Sequence, residues 1–393
     1  MAHSECAFSD TGDITTNKEA IQGLCLSMCP QEEVDMRVRE SMVHALEAGG
    51  RLVKRYGRSA ADRDMARPRL LRPFPALRDT VEYLLLEVTF RTDVPLTVVY
   101  DFVNDRLRAV RQDMIIQRLP PRECQVLLEP MVRFYVYFGY RLCEHPMRVY
   151  DPVLNKKYLL ECLQLILNCY DEIYDEELAA DVSELGNHGS LDKKVTNEEV
   201  DQLAATICGL ELKDQSKTSE YTKLSCDRVL MESLYILCNL GDTNPLMRYH
   251  QLPKDLRSHR TLALAYEVAV ENMRGNYVAV VKLSTKMCPL TFCAYSTYLP
   301  VLQKKALLVL SHAYNSTQLS VPCQAVRKWL AYNSDADVLE AVKHYGLKVT
   351  GDSIHFRKAD FNKEAAVLIK KNLQKKMDLS IVRHVFSYET TSV

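Results

Sequence analysis

Glycine supplies only 13 of the 393 residues, roughly half its usual share of about 7%. So few turn-permissive positions argue against a sheet-rich fold with many hairpins. No run of roughly 18 apolar residues occurs, so no transmembrane helix and no membrane insertion are expected. The chain opens Met1-Ala2-His3-Ser4-Glu5, with no basic segment ahead of an apolar run, so no secretory signal is read. A net excess of either charge is lacking as well, with 50 Lys or Arg against 51 Asp or Glu. The net charge of −1 gives no global attraction to nucleic acid or membrane, and only local clusters can supply one. A Gly-rich phosphate loop, a His-Glu-x-x-His pair and a Gly-x-Ser-x-Gly elbow are all absent. No enzymatic activity, cofactor or metal is therefore expected.

Abundant Leu, Ala, Glu and Lys make an all-α fold the expectation. The odd count of thirteen cysteines fits a reducing, intracellular setting. Cys143, Cys162, Cys238 and Cys293 lie within apolar helical patterns and read as small buried hydrophobes.

Residues 1–24 are polar and read as a disordered tail. Residues 25–78 form a basic N-terminal arm; between Arg37 and Arg78, eleven Lys or Arg face four Asp or Glu. One helix is expected there, from Gln31 to Ala48, ended by Gly49-Gly50. Residues 79–299 read as a helical domain, with helices near 79–90, 94–117, 121–143 and 152–175, several of them opened by prolines. Within it, 171–220 holds fourteen Asp or Glu against four Lys and reads as a flexible acidic insertion with one short helix near 197–210. Gly241 and Gly275 stand 34 residues apart, the period of tetratricopeptide-like helical hairpins.

Helices over 303–314, 322–331 and 335–345 should precede a β-hairpin, Leu347–Thr350 and Ser353–Arg357, turned by Gly351-Asp352. Three helices and a hairpin make the winged-helix layout of residues 300–360, leaving 361–393 as a C-terminal tail. Residues 301–376 hold thirteen Lys or Arg against six Asp or Glu. Arg327, Lys328, Lys343, Lys348, Arg357 and Lys358 are the candidate phosphate contacts. An ordinary solvated face, or a surface pairing with a second winged helix, accounts for the same charges.

Two cysteine features are weaker. Cys25 and Cys29 have ligand-like spacing, but no second pair follows at zinc spacing, so a structural loop is expected. Cys143 and His145 stand at i and i+2 without an oxyanion feature, which argues against a catalytic dyad.

The stretch Tyr100–Asp113 places Phe102, Val103, Leu107 and Val110 on one helical stripe, continued by Met114. Asp101, Asp105, Arg108 and Arg111 take the opposite side, where charge pairs three or four apart can form. The order of residues adds something that periodicity does not. Asp101-Phe102, Arg106, Arg111 and Asp113 resemble the Sac-three/GANP family. So do Cys25-x-x-Met28-Cys29-Pro30, Tyr56 and Arg58 within Val53–Ala61, Leu71-Arg72-Pro73, and Cys143–Met147. The family's first Cys-Pro-Asp is Cys25-Leu26-Ser27 here.

This resemblance implies helical hairpins capped by a PCI-like winged helix, as in proteasome-lid and initiation-factor subunits. It also implies a non-catalytic subunit of a TREX-type complex in messenger-RNA export. Its partners would be a PCI-domain protein and a small acidic clamp protein, and the joined winged helices would offer a platform to RNA or single-stranded nucleic acid. Short members of the family imply an alternative role in centrosome duplication and mitotic spindle assembly. The expected location is nucleus and cytoplasm, or the centrosome and spindle under the alternative.

Overall fold

The computed structural model describes residues 21–57, 66–186 and 227–373. Residues 1–20 of the expected tail, Arg58, most of the acidic insertion with its helix near 197–210, and residues 374–393 lie outside the described residues. The described chain is mostly helical.

Helix α1, Gln31–Arg39, is followed by a single 3-10 turn at Ala45–Glu47. The expected helix to Ala48 is thus cut short. Ser41 adopts a left-handed φ of 55°, and the Met42 N–H turns back to the Arg37 carbonyl at 2.8 Å. Next come α2 (Phe74–Leu86), α3 (Leu96–Gln117), α4 (Pro121–Arg141) and α5 (Pro152–Gly186). Prolines Pro73, Pro95 and Pro120 stand at the N-caps of α2, α3 and α4, where no N–H is needed for the ladder. Arg118 ends α3 in the left-handed region.

Helix α4 runs through the middle of the first core. Leu127 to Tyr140 is buried without interruption, because α2, α3, α5 and a later helix all pack on it. A helix buried all round needs no polar face. Tyr100, Phe134, Phe138 and Tyr150 fill the centre of this core with ring contacts of 4.6–5.7 Å.

Beyond the acidic segment lie α6 (Arg228–Cys238), α7 (Asn244–Gln251), α8 (Lys254–Ser258), α9 (Arg260–Met273) and α10 (Tyr277–Ser284). Helix α9 packs on α6 and α10. Helix α11, Pro289–Ala313, is one continuous element of 25 residues, so the separate helix expected at 303–314 is its second half.

A smaller core follows. Strand β1 (Val321–Pro322), α12 (Cys323–Leu330), α13 (Asp335–His344), β2 (Lys348–Thr350) and β3 (Ser353–His355) enclose Val326, Val338, Val342, Ile354 and Phe356. Helix α13 is fixed by a capping box in which Ser334 and Asp337 bond each other's backbone N–H. The sheet order is β1-β3-β2, all antiparallel, with Val321 opposite Ile354 and Val349 opposite Ile354 on the other side. The expected hairpin is present. Strand β1 was not expected: two residues ending in proline carry no period-two pattern.

Residues 361–373, expected to begin a tail, instead pack back across both cores. Phe361 is buried in the second. Asn372 donates to the Ala331 carbonyl at 2.9 Å, and its own carbonyl accepts from the Tyr140 hydroxyl on α4 at 2.6 Å.

Candidate functional site: a buried motif cluster and a basic module

The N-terminal motif residues converge on α3. The chain from Gly23 is held by backbone bonds: Gly23 N–H to Gln117 Oε1 (2.8 Å), Leu24 N–H to the Pro68 carbonyl (2.8 Å), and Cys25 N–H to the Leu71 carbonyl (3.0 Å). Cys25, Cys29 and Leu71 are buried. The Cys29 thiol is pushed up to about 12, chiefly by burial, with Glu33 adding to it. It is therefore a neutral packing group at ordinary pH. The Pro30 carbonyl starts α1 by accepting from Glu33 and Val34, and the Pro73 carbonyl starts α2 by accepting from Leu77. The Met28 carbonyl accepts from the Lys54 N–H at 3.0 Å and from Arg72 Nη1 at 3.2 Å.

Two buried carboxylates organise these segments. Asp113, fully buried on α3, receives Lys54 Nζ at 2.6 Å and Arg72 Nε at 2.7 Å. Glu47 receives Arg37, Arg106 Nη2 at 3.3 Å, and the Val53 N–H at 3.0 Å. Burial alone would raise the Glu47 carboxyl. The Val53 N–H and the two guanidinium groups outweigh it and hold the group below its ordinary range.

The helix stripe forms as expected, with Phe102, Val103, Leu107, Val110 and Met114 all buried. The opposite side does not stay a solvated charged face. Asp105 accepts from the Tyr56 N–H at 3.3 Å. The Arg108 guanidinium lies 3.8 Å over the Tyr56 ring and 4.6 Å over Tyr158. Arg106 stacks on Phe102 at 4.2 Å. Arg111 crosses to Glu161 on α5 at 2.6 Å. Asp101 alone of these remains exposed. Apart from the contacts of Arg106 with Asp105 and Phe102 on the same helix, these charges tie α3 to its neighbours. Glu47 had escaped the sequence reading. Its one available signal was a carboxylate flanked by apolar Leu46 and Ala48 inside a basic stretch.

The six candidate phosphate contacts all belong to the second core. Lys328 on α12, Lys343 on α13, Lys348 on β2 and Lys358 beyond β3 are exposed, while Arg327 and Arg357 are half-buried. Two have acidic neighbours: Arg327 lies 3.3 Å from Asp335, and Lys348 lies 3.7 Å from Asp360. Farther along, Lys370 is taken by Glu340 at 2.5 Å and Asp337 at 3.3 Å. The module is thus less positive than its count of Lys and Arg indicates, and of the six candidates Lys328, Lys343 and Lys358 are exposed and outside the ion pairs just given. Among the described residues, no three His, Cys, Asp or Glu side chains gather at metal-binding range, and no helix is long and apolar enough to cross a membrane.

The profile of the SAC3/GANP family matches residues 28–187 and 184–351, which takes in most of the buried motif cluster and of the basic module but leaves out Cys25, Arg357 and Lys358. The chain belongs to the SAC3/GANP family. Among known proteins, it is 25% identical over 351 residues to Protein xmas of Drosophila melanogaster, an alignment covering 84% of this chain and 15% of that protein. It is 24% identical over 353 residues to SAC3 family protein 1 of Schizosaccharomyces pombe, covering 86% of this chain and 32% of that one. With SAC3 family protein B of Arabidopsis thaliana it shares 24% over 343 residues, covering 84% and 18%. The chain therefore spans less than a third of the length of each of these relatives.

Proposed function

We propose that this chain is a non-catalytic scaffold subunit of the messenger-RNA export type, working in the nucleus and cytoplasm. In this reading α6–α7 and α9–α10 are tetratricopeptide-like hairpins, with Gly241 (φ 99°) and Gly275 (φ 73°) at corresponding corners. The second core is a PCI-like winged helix that pairs with that of a PCI-domain partner, while a small acidic protein clamps the helices. The observation that carries the reading is the second core itself: a three-stranded sheet on two helices, bearing exposed Lys328, Lys343 and Lys358.

Cations so placed neutralise phosphates without reading bases. The complex with a PCI-domain partner should bind single-stranded RNA with little sequence preference, and affinity should fall as salt rises. Reversing Lys328, Lys343 and Lys358 to Glu should weaken RNA binding by roughly 1–3 kcal/mol and leave the pairing with the partner intact. Unchanged RNA affinity together with lost partner association would make this face a protein interface. Following the tagged full chain through the cell cycle separates export from the centrosomal alternative: nuclear signal supports the first, persistent centrosomal and spindle signal the second.

A further inference from the structure

Helices α4 and α5 pack on each other in antiparallel register. Asn155 donates to the Tyr135 carbonyl at 3.0 Å, the Tyr170 hydroxyl lies 3.5 Å from Glu129, and Arg122 reaches Glu177 at 2.7 Å. Positions thus rise along α5 as they fall along α4, and Cys124 comes to stand beside Cys169. The two thiols share a hydrogen bond. Both are free and half-buried, at the edge of the first core. A small reagent can therefore reach them, and side-chain rotation can close the gap between the sulfurs.

The pair is asymmetric. The Cys124 proton is divided between Cys169 and the Leu119 carbonyl, 3.2 Å from the Cys124 sulfur. The bond to Cys169, together with burial, pushes the Cys124 thiol far up. Cys169 receives that bond, which outweighs burial and the charge of Glu172 and holds its thiol below the ordinary range. The thiolate is the reacting form of cysteine, so Cys169 is the attacking group and Cys124 stands where a resolving thiol must stand. Glu123 and Glu172 lie close enough to act on the pair. Half-buried sulfurs beside two carboxylates favour a small neutral oxidant over a bulky anionic one.

We propose that Cys124 and Cys169 form an oxidation site, where a hydroperoxide converts the two thiols into a reversible disulfide joining α4 to α5. The Cys169 thiolate attacks one oxygen of hydrogen peroxide, the O–O bond breaks, and the departing hydroxide takes up a proton to give water. Cys169 is then a sulfenic acid. The Cys124 sulfur attacks it, the S–S bond forms, and the Cys124 proton leaves with the sulfenic hydroxyl as a second water. In sum two thiols are oxidised to one disulfide and one peroxide is reduced to two waters. Exchange with a thiol such as glutathione restores the reduced pair. The seam lies in the first core, so the proposal does not depend on the function proposed above.

Peptide mapping tests it. The reduced full chain is treated with hydrogen peroxide, blocked with N-ethylmaleimide, digested without reductant and read by mass spectrometry. A peptide pair joined through Cys124 and Cys169 should appear, disappear with dithiothreitol, and form about tenfold faster than with glutathione disulfide at equal concentration. Cys124→Ser removes the resolving thiol, so Cys169 should stop at the sulfenic acid and be captured by dimedone. In Cys169→Ser, capture at Cys124 should be about tenfold weaker, since burial still disfavours its thiolate. Absence of the joined pair at peroxide doses that oxidise the exposed Cys288 would overturn the assignment. So would equal joining of either cysteine to others, an equal or faster reaction with glutathione disulfide, or equal dimedone capture in the two variants.

Discussion

Replacing Asp113 by Asn keeps the shape of the side chain and removes the single charge on which two cations converge. Lys54 and Arg72 sit 2.6 and 2.7 Å from its two oxygens, with side chains 10% and 0% exposed. In the Asn variant both would remain buried without a counter-charge. Breaking a buried pair from one side costs about 3–5 kcal/mol, most of it the desolvation of the charge left behind. For a chain of 393 residues each kcal/mol moves the melting temperature by roughly 1–2 °C, so Asp113→Asn should melt about 3–10 °C below wild type. Circular dichroism or calorimetry reads this directly. Lys54→Met should cost less, since Arg72 still neutralises Asp113. In the double variant part of the Asp113→Asn loss should return, because one of the stranded cations is gone. The reasoning fails if Asp113→Asn melts within about 2 °C of wild type, or if the two substitutions simply add.

Glu47 should leave a mark on acid stability. Its folded pKa lies below the ordinary 4.5, so its contribution is complete above that value and is lost as pH falls through the folded pKa; Glu47→Gln should flatten this acid limb of melting temperature against pH. Gly346→Ala should destabilise the second core by more than about 1–2 kcal/mol, because Gly346 has φ 82° and an added Cβ would lie 2.6 Å from the Asp360 carbonyl oxygen. Urea titration of that variant, followed through Trp329 beside the second core, should show an earlier midpoint. Asn372→Ala removes the bond to the Ala331 carbonyl and should cost about 1–3 kcal/mol, with amide exchange rising over 361–373 more than in α4.

The apolar half of this fold was legible residue by residue. The stripe Phe102, Val103, Leu107, Val110 and Met114 follows from a period of 3.6, and Pro95, Pro121 and Pro152 mark three helix starts, whereas the helix expected near 79–90 already begins at Phe74. The charged half was not. Periodicity reports that Asp105, Arg108, Arg111 and Asp113 lie off the apolar stripe, but a side that faces water and a side that faces another segment's charges look the same in one dimension. The partners are 41 and 59 residues away for Asp113 and 50 for Arg111, beyond any helical rule. The early end of α1 left no trace for a related reason, since Ser41 takes a left-handed conformation with neither Gly nor Pro to announce it. Arg327, Lys328, Lys343 and Lys348 were placed on the right elements, Arg357 and Lys358 lie past the end of β3, and the pairings of Arg327 with Asp335 and Lys348 with Asp360 depend on tertiary proximity.

Helix α11 belongs to two cores. Leu290, Phe292, Tyr295, Leu299 and Leu302 sit in the first, and Ala306 and Leu307 sit in the second. At 25 residues it is about 37 Å long, and the segment 361–373 runs back from the second core to α4 as a parallel tie. An axle braced by a return strut resists hinging between the cores, even with Pro300 interrupting its hydrogen-bond ladder. Torque applied to the small sheet is delivered to the aromatic centre around Phe134 instead of being absorbed between domains. The two bodies must then turn together, and whatever grips one end of this molecule sets the heading of the other.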